Sequence, residues 1–292
     1  LEIRNLWLCR FGDGAVRPEF CHLRIADGRI AEIRPADYRG YLAGPPGRTG
    51  PAGKPGRVID AGARVATPPG INFHEHLYSR LAKGLSLPGP MEEFRDILEN
   101  LWWRLDAALD ADMVAACARL GSAQALLCGV SYVFDHHSSP GFVRGSLDAL
   151  GSVLAEAGLR AVCCLETSDR HGAEVTEACL EEQRAFMRRS ASSDLKGLVG
   201  LHAPFTLSDR TLGRAAALCR ESAAGIHIHL AEDAYEQRYS REHFECTAAV
   251  RLDRLGLLQY PGILAHGVHL EKEDWPAIGR GRCALAVNPD SN

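Results

Sequence analysis

The chain is 292 residues long and 46% hydrophobic, enough apolar material for a large core in one large α/β domain or two smaller ones. A formal net charge of -4, with arginines dispersed among acids, supplies no basic field and argues against a nucleic-acid partner. No apolar run reaches the roughly 18 residues of a membrane span and no charged-then-apolar leader is visible, so no membrane is expected and a cytoplasmic location follows by default.

Residues 1 to 65 have a β character of their own. "CHLRIADGRIAEIRP" is two alternating runs joined by Asp27-Gly28, a hairpin signal, and "GRVIDAGARVATP" repeats the β-turn-β pattern around Ala61-Gly62. Between them the Gly/Pro-rich stretch at 41 to 56 reads as a flexible loop, lacking the triplet period of collagen. From about residue 66 short apolar strands alternate with amphipathic helices. The strand candidates are "GINFHEH", "SYVFDHH", "RAVCCLETSD", "GLVGLHAPFT", "GIHIHLAED", "GILAHGVHL" and "CALAVNPDSN". Helical stretches include "SLDALGSVLAEAG", "EVTEACLEEQRAFMRR" and "SDRTLGRAAALCRESA", the last opening on a Ser208 or Asp209 cap. Seven βα repeats predict an α/β fold with a parallel sheet, most economically a TIM (β/α)8-type barrel over 66–292 with seven strands present. Cys117, Cys128, Cys179 and Cys219 fall at apolar positions of helical patterns and Cys163 with Cys164 in a strand, so all six read as reduced core residues. The Trp102-Trp103 pair reads either as a pocket wall or as helix packing, with packing favoured.

Ionisable residues crowd the strand ends: His74 and His76, Asp135 to His137, Glu166, His202, His229 with Glu232, His266 and Asn288. In a parallel barrel these ends open onto one face, where active sites are built. Two histidines separated by one residue share a face of a strand, so His74 and His76 converge. With His229 they offer three imidazoles, the usual protein contribution to a zinc or iron site that keeps a position open for water. Such an ion brings the pKa of water toward about 7. Glu232 follows His229 by three residues and could move protons, and His266 could hold a developing oxyanion. No GxSxG elbow and no phosphate-cradling glycine motif competes with this reading.

"PGINFHEHL", "GIHIHLAED", "ILAHGVHL" and "NPDSN", in order and spacing, resemble the amidohydrolase superfamily, in its cytosine-deaminase-like branch of metal-dependent aminohydrolases and chlorohydrolases. Within it, "LENLWWRLD", "FDHHSSP", "ETSDRHG" and "LHAPFTLSD" are similar to SsnA-type aminohydrolases, and the likeness runs from about residue 24 to 292. The resemblance implies that His74, His76 and His229 bind one divalent metal ion, zinc or iron. It gives Glu232 and His266 the catalytic proton and hydroxide chemistry and His202 a substrate contact, to which the strand-end His137 and Asn288 are added. It also implies that residues 1–65 are the N-terminal part of a composite β-sandwich and that a fourth ligand, an aspartate, lies beyond residue 292. Val287 stands where many relatives carry histidine. The expected activity is hydrolytic deamination of a purine-, pyrimidine- or triazine-like molecule through a metal-bound hydroxide, by a hydrolase of carbon–nitrogen bonds other than peptides. Dechlorination or cyclic-amide hydrolysis by the same site, or an impaired metal-binding fragment, are the alternatives. Homo-oligomerisation is compatible with the resemblance.

Overall fold

The computed structural model describes residues 1–44, 57–87, 89–190 and 194–291. These form two compact units, Leu1–Pro69 and Gly70–Asn292. In the first unit, β1 (Glu2–Gly12), β2 (Ala15–Ala26), β3 (Arg29–Pro35), β4 (Val58–Asp60) and β5 (Val65–Ala66) make one sheet ordered β3-β2-β1-β4, with β5 also on β1. The β2–β3 hairpin turns on Asp27 and Gly28, both at positive φ (50° and 70°), the backbone that a tight hairpin demands. Leu6, Cys21 and Leu23 are its buried centre. The segment around Ala61-Gly62 departs from the expected hairpin. Its strands do not pair with each other but run parallel to successive parts of β1, Glu2–Arg4 and Trp7–Leu8. The register of β1 breaks between Ile3 and Leu6, and Asp60, accepting from Asn5 Nδ2 (3.1 Å) and Gly62 N (2.9 Å), fixes the bend at that break. Tyr38–Ala43 is a short helix reaching into the stretch expected as loop, and the remainder of that stretch, 45–56, lies outside the described residues.

The second unit is a parallel α/β, TIM-barrel-like fold. Its strands are β6 (Gly70–Glu75), β7 (Val130–His137), β8 (Arg160–Leu165), β9 (Leu195–Gly197), β10 (Val199–Leu201), β11 (Ile226–Leu230), β12 (Ile263–His266) and β13 (Ala284–Ala286). They form two parallel runs, β6-β7-β8-β9 and β10-β11-β12-β13, joined by a bridge between Thr167 and Leu201. β9 and β10 are one strand interrupted at Leu198, whose N–H turns to Cys163 O on one side while Val199 N–H turns to Gly225 O on the other. Every sequence segment expected as a strand carries one of these elements. No pairing joins β13 to β6 among the described residues.

Strand alternation sorts the side chains. On β11 the buried Ile226, Ile228 and Leu230 belong to an apolar cluster with Leu212 and Leu218 of the helix Asp209–Ser222, leaving His227 and His229 on the opposite face. That helix opens with Ser208 Oγ accepting from Thr211 N, the expected cap. All ten cysteines are unpaired. Cys128 corrects the expectation of a core residue: it is exposed, because it falls on the cap between the helix Ala111–Leu127 and the turn at Gly129 rather than on the helix's packed face. Among the described residues no helix is long and apolar enough to cross a membrane.

Candidate active site

His74 sits near the end of β6 and His76 one residue past it, while His229 is on β11, and one ring nitrogen from each lies within 4.8 Å of the others. Hydrogen bonds fix which nitrogen. His76 Nδ1–H donates to His136 O (2.8 Å) and His229 Nδ1–H donates to His202 O (2.7 Å). Each therefore presents a bare Nε2 lone pair, and these two Nε2 atoms face each other at 3.1 Å. Two acceptors so close repel unless a cation lies against them. His74 Nδ1 meets His227 Nε2 (2.8 Å), and its buried Nε2 has no hydrogen-bond partner among the described residues. Backbone carbonyls that orient the far nitrogen of each imidazole are the usual outer support of a metal site, so the residues fit a divalent cation. Burial lowers the pKa of all three rings, that of His76 to about 4, and keeps them neutral at pH 7.

A second grouping, His136, Glu166 and His229, shares His229. Because His229 has only one lone pair once Nδ1–H is engaged, the two groupings cannot hold separate ions through it.

Beside the triad, Glu232 Oε1 lies 3.6 Å from His266 Nε2, and Asn288 Nδ2 donates to His266 Nδ1 (3.3 Å), leaving Nε2–H to face the carboxylate. Ala231, at φ 51°, and His266, at φ 75°, hold left-handed backbone at the ends of β11 and β12. Such strain persists only where surroundings enforce it. Here buried Glu236 accepts from Ala231 N (2.6 Å), and Gly267 and His269 donate to Leu230 O and Ala231 O. These contacts hold the turn that carries Glu232. Burial raises the Glu232 pKa, and the neighbouring His266 opposes that shift. His202 Nδ1–H donates to Thr206 Oγ1 (2.8 Å), whose hydroxyl in turn donates to Ala203 O (3.0 Å), so His202 Nε2 is a lone pair.

His74, His76, His202, His229, Glu232, His266 and Asn288 all line one cavity of about 660 Å³. His137 does not: it is fully buried, with Nε2 on Ser139 Oγ (2.9 Å), because alternation along β7 turns it away from the face that His136 takes. The substrate contact expected of it is thereby corrected. His136 points inward, its Nε2–H shared between Leu201 O and His227 O (3.0 and 3.1 Å). Trp102 and Trp103 both line the cavity, the less favoured of the two alternatives, and Trp102 also packs on the buried cluster around Tyr78. Sequence reasoning missed Asp106, Arg170 and Tyr78. Arg170 Nη2 donates to Glu166 Oε1 (2.9 Å) and reaches Asp106 Oδ2 at 3.5 Å. The four-residue spacing from Glu166 to Arg170 was the available signal, but Asp106 is remote in sequence. Burial pushes Glu166 up to about 8 despite the opposing guanidinium.

A parallel barrel-type fold that gathers three imidazoles at the strand ends offers a donor set suited to a divalent cation. The amidohydrolase family model matches residues 65–291, and the chain belongs to that family. It is 28% identical over 282 residues to a 5-methylthioadenosine/S-adenosylhomocysteine deaminase of Desulforudis audaxviator, covering 92% of this chain and 63% of that protein. A guanine deaminase from C. acetobutylicum with bound guanine superposes with a TM-score of 0.78 at 17% identity, covering 97% of this chain and 66% of that one. A mutant atrazine chlorohydrolase from Arthrobacter aurescens complexed with zinc and atraton gives 0.77 at 17% identity, covering 98% and 65%. At these identities the structural likeness is one of fold. The chain spans just under two thirds of the length of these proteins.

Proposed function

We propose that this chain catalyses hydrolytic deamination of a heterocyclic small molecule, with His74, His76 and His229 holding one divalent cation, zinc or iron. The observation that carries the reading is the pair of Nε2 lone pairs of His76 and His229 facing at 3.1 Å beside the unpartnered Nε2 of His74. The deaminase name of the relative in Desulforudis audaxviator supports the choice of reaction. A cation bound there supplies Lewis acidity, which brings the pKa of water from 15.7 to about 7. Glu232, raised by burial, takes a proton from the attacking water and returns it to the departing nitrogen. His266, oriented by Asn288, directs Nε2–H toward Glu232 and the negative charge that develops beside it. His202 Nε2 accepts from an N–H of the heterocycle.

The reading includes a TIM (β/α)8-type barrel to which the second unit contributes seven strands, and a composite β-sandwich of which residues 1–65 are the N-terminal part. It is supported by Ile71 and Phe73, each 49% exposed on the free edge strand β6, and by Val287, exposed beyond β13. A cytoplasmic setting accords with ten unpaired cysteines.

The test is ammonia release from a panel of aminopurines, aminopyrimidines and aminotriazines by the zinc-loaded protein, with chloride release from chlorotriazines measured in parallel. Glu232→Gln is expected to lower kcat by about 100-fold or more while metal content stays unchanged. Ammonia from none of the panel would overturn deamination, and chloride alone would transfer the site to dechlorination.

A further inference from the structure

A second cavity, also of about 660 Å³, adjoins the first: Phe94, Leu98 and Trp103 line both. These three lie along 94–103, where a π-helical turn, Leu98–Trp102, interrupts the helix, an irregularity frequent at functional sites. The second chamber is walled by Phe205, Tyr235, Tyr239 and Phe244. Phe205 stands perpendicular to Tyr235 (ring centroids 5.4 Å apart) and 5.7 Å from the ring of His202, so the aromatic wall begins beside a group that lines the first chamber.

The charged groups around this wall already hold polar partners, one buried N–H of Arg170, at Nη1, excepted. Arg95 donates to Glu99 (2.7 Å), and Asp209 accepts from Arg251 (2.7 Å). Asp169 accepts from Ser208 N and Thr211 Oγ1 (both 2.7 Å). Arg170 lies with its guanidinium 4.5 Å over the Trp103 ring and faces two carboxylates, Glu166 and Asp106. An anionic group entering the chamber would meet more carboxylates than free cations, whereas an uncharged group would lose nothing and gain aromatic contact.

We propose that the second chamber binds an uncharged apolar or aromatic substituent carried by the heterocycle, so that the substrate has two parts: a ring amine among the histidines and a neutral substituent against Phe205 and Tyr235. The inference rests on the proposed function for the first chamber. Its test uses binding, read by calorimetry on the zinc-loaded protein, with turnover followed separately. The probes are adenine, adenine benzylated on its imidazole-ring nitrogen, and that compound with a carboxylate on the phenyl ring.

The benzyl compound is expected to bind about tenfold or more tightly than adenine, from burial of its phenyl ring, and the carboxylated one no more tightly than adenine. Tyr235→Ala should remove most of the benzyl gain while leaving adenine unchanged. If that variant loses adenine binding as well, Tyr235→Leu, which keeps apolar bulk but not the ring, takes its place and should reduce the gain several-fold. Equal affinity for adenine and its benzyl derivative, tighter binding of the carboxylate, or full gain retained in both variants would overturn the proposal. A benzyl gain with no ammonia from any of the panel would leave the second chamber standing and remove the deaminase reading; ammonia release without the gain would do the reverse.

Discussion

The proton positions on three imidazoles decide what the site can hold. His76 and His229 each spend Nδ1–H on a backbone carbonyl, and their remaining lone pairs oppose each other at 3.1 Å. Asparagine in place of His229 deletes the Nε2 lone pair while its amide N–H can keep the bond to His202 O. His229→Asn is therefore expected to weaken zinc binding by more than the roughly 10–100-fold typical of outer-sphere losses. Competition with a chromogenic chelator measures it, with Glu232→Gln as the control that should bind zinc like the parent. Parental affinity in His229→Asn would show that the three rings are a hydrogen-bonded cluster and not a ligand set.

At the scale of elements, the seam between β8 and the β9–β10 strand positions His202. Gly200 lies there with no room for a side chain: a Cβ would come within 2.5 Å of Leu165 O and 2.9 Å of Cys164 Cβ. The fully buried Gln183, from the helix Ala173–Ser190, accepts from Gly200 N and from Leu165 N and donates to Thr167 Oγ1 (2.9 Å), tying both strands to one helix. Gly200→Ala is expected to cost about 1–3 kcal/mol, seen as a lower urea midpoint at unchanged slope. An unchanged midpoint would mean that the seam yields freely. Such seams are where the sequence was least informative. Alternation and turn residues marked all seven strand segments and the converging pair His74 and His76, because period and turn chemistry are local properties. Which of His136 and His137 faces inward depends on the register of β7 against its neighbours, and whether Trp103 packs or lines a cavity depends on where Arg170 arrives. Neither is encoded within a short window. The parallel pairing of β4 and β5 with β1 was hidden for the same reason.

Across the whole molecule, buried ionisable groups of opposite kinds set how stability responds to pH. Asp135, Glu166 and Glu236 are fully desolvated and each is pushed up to about 8. Their folded forms hold protons that the unfolded chain releases near pH 4, so their contribution is complete at low pH and is lost as pH rises toward 8. The histidines act the other way. Burial lowers His76 to about 4 and His136 and His137 to about 3, and holds His74, His202, His227 and His229 well below the ordinary value. Below about pH 6.5 the unfolded chain binds protons that these rings refuse, so stability falls as acid is added. Seven histidines outweigh three carboxyls on the acid side, and above about pH 6.5 the carboxyls act alone. Metal-free protein, stripped with a chelator, is therefore expected to be most stable at about pH 6–7 and to lose stability on both sides, the acid limb steeper. Urea unfolding at constant ionic strength between about pH 5 and 9 measures the curve, and Asp135→Asn should flatten its alkaline limb. Stability still climbing through pH 8 would show that the three carboxyls are ionised in the fold, and the burial argument for Glu232 as a proton carrier would weaken with it.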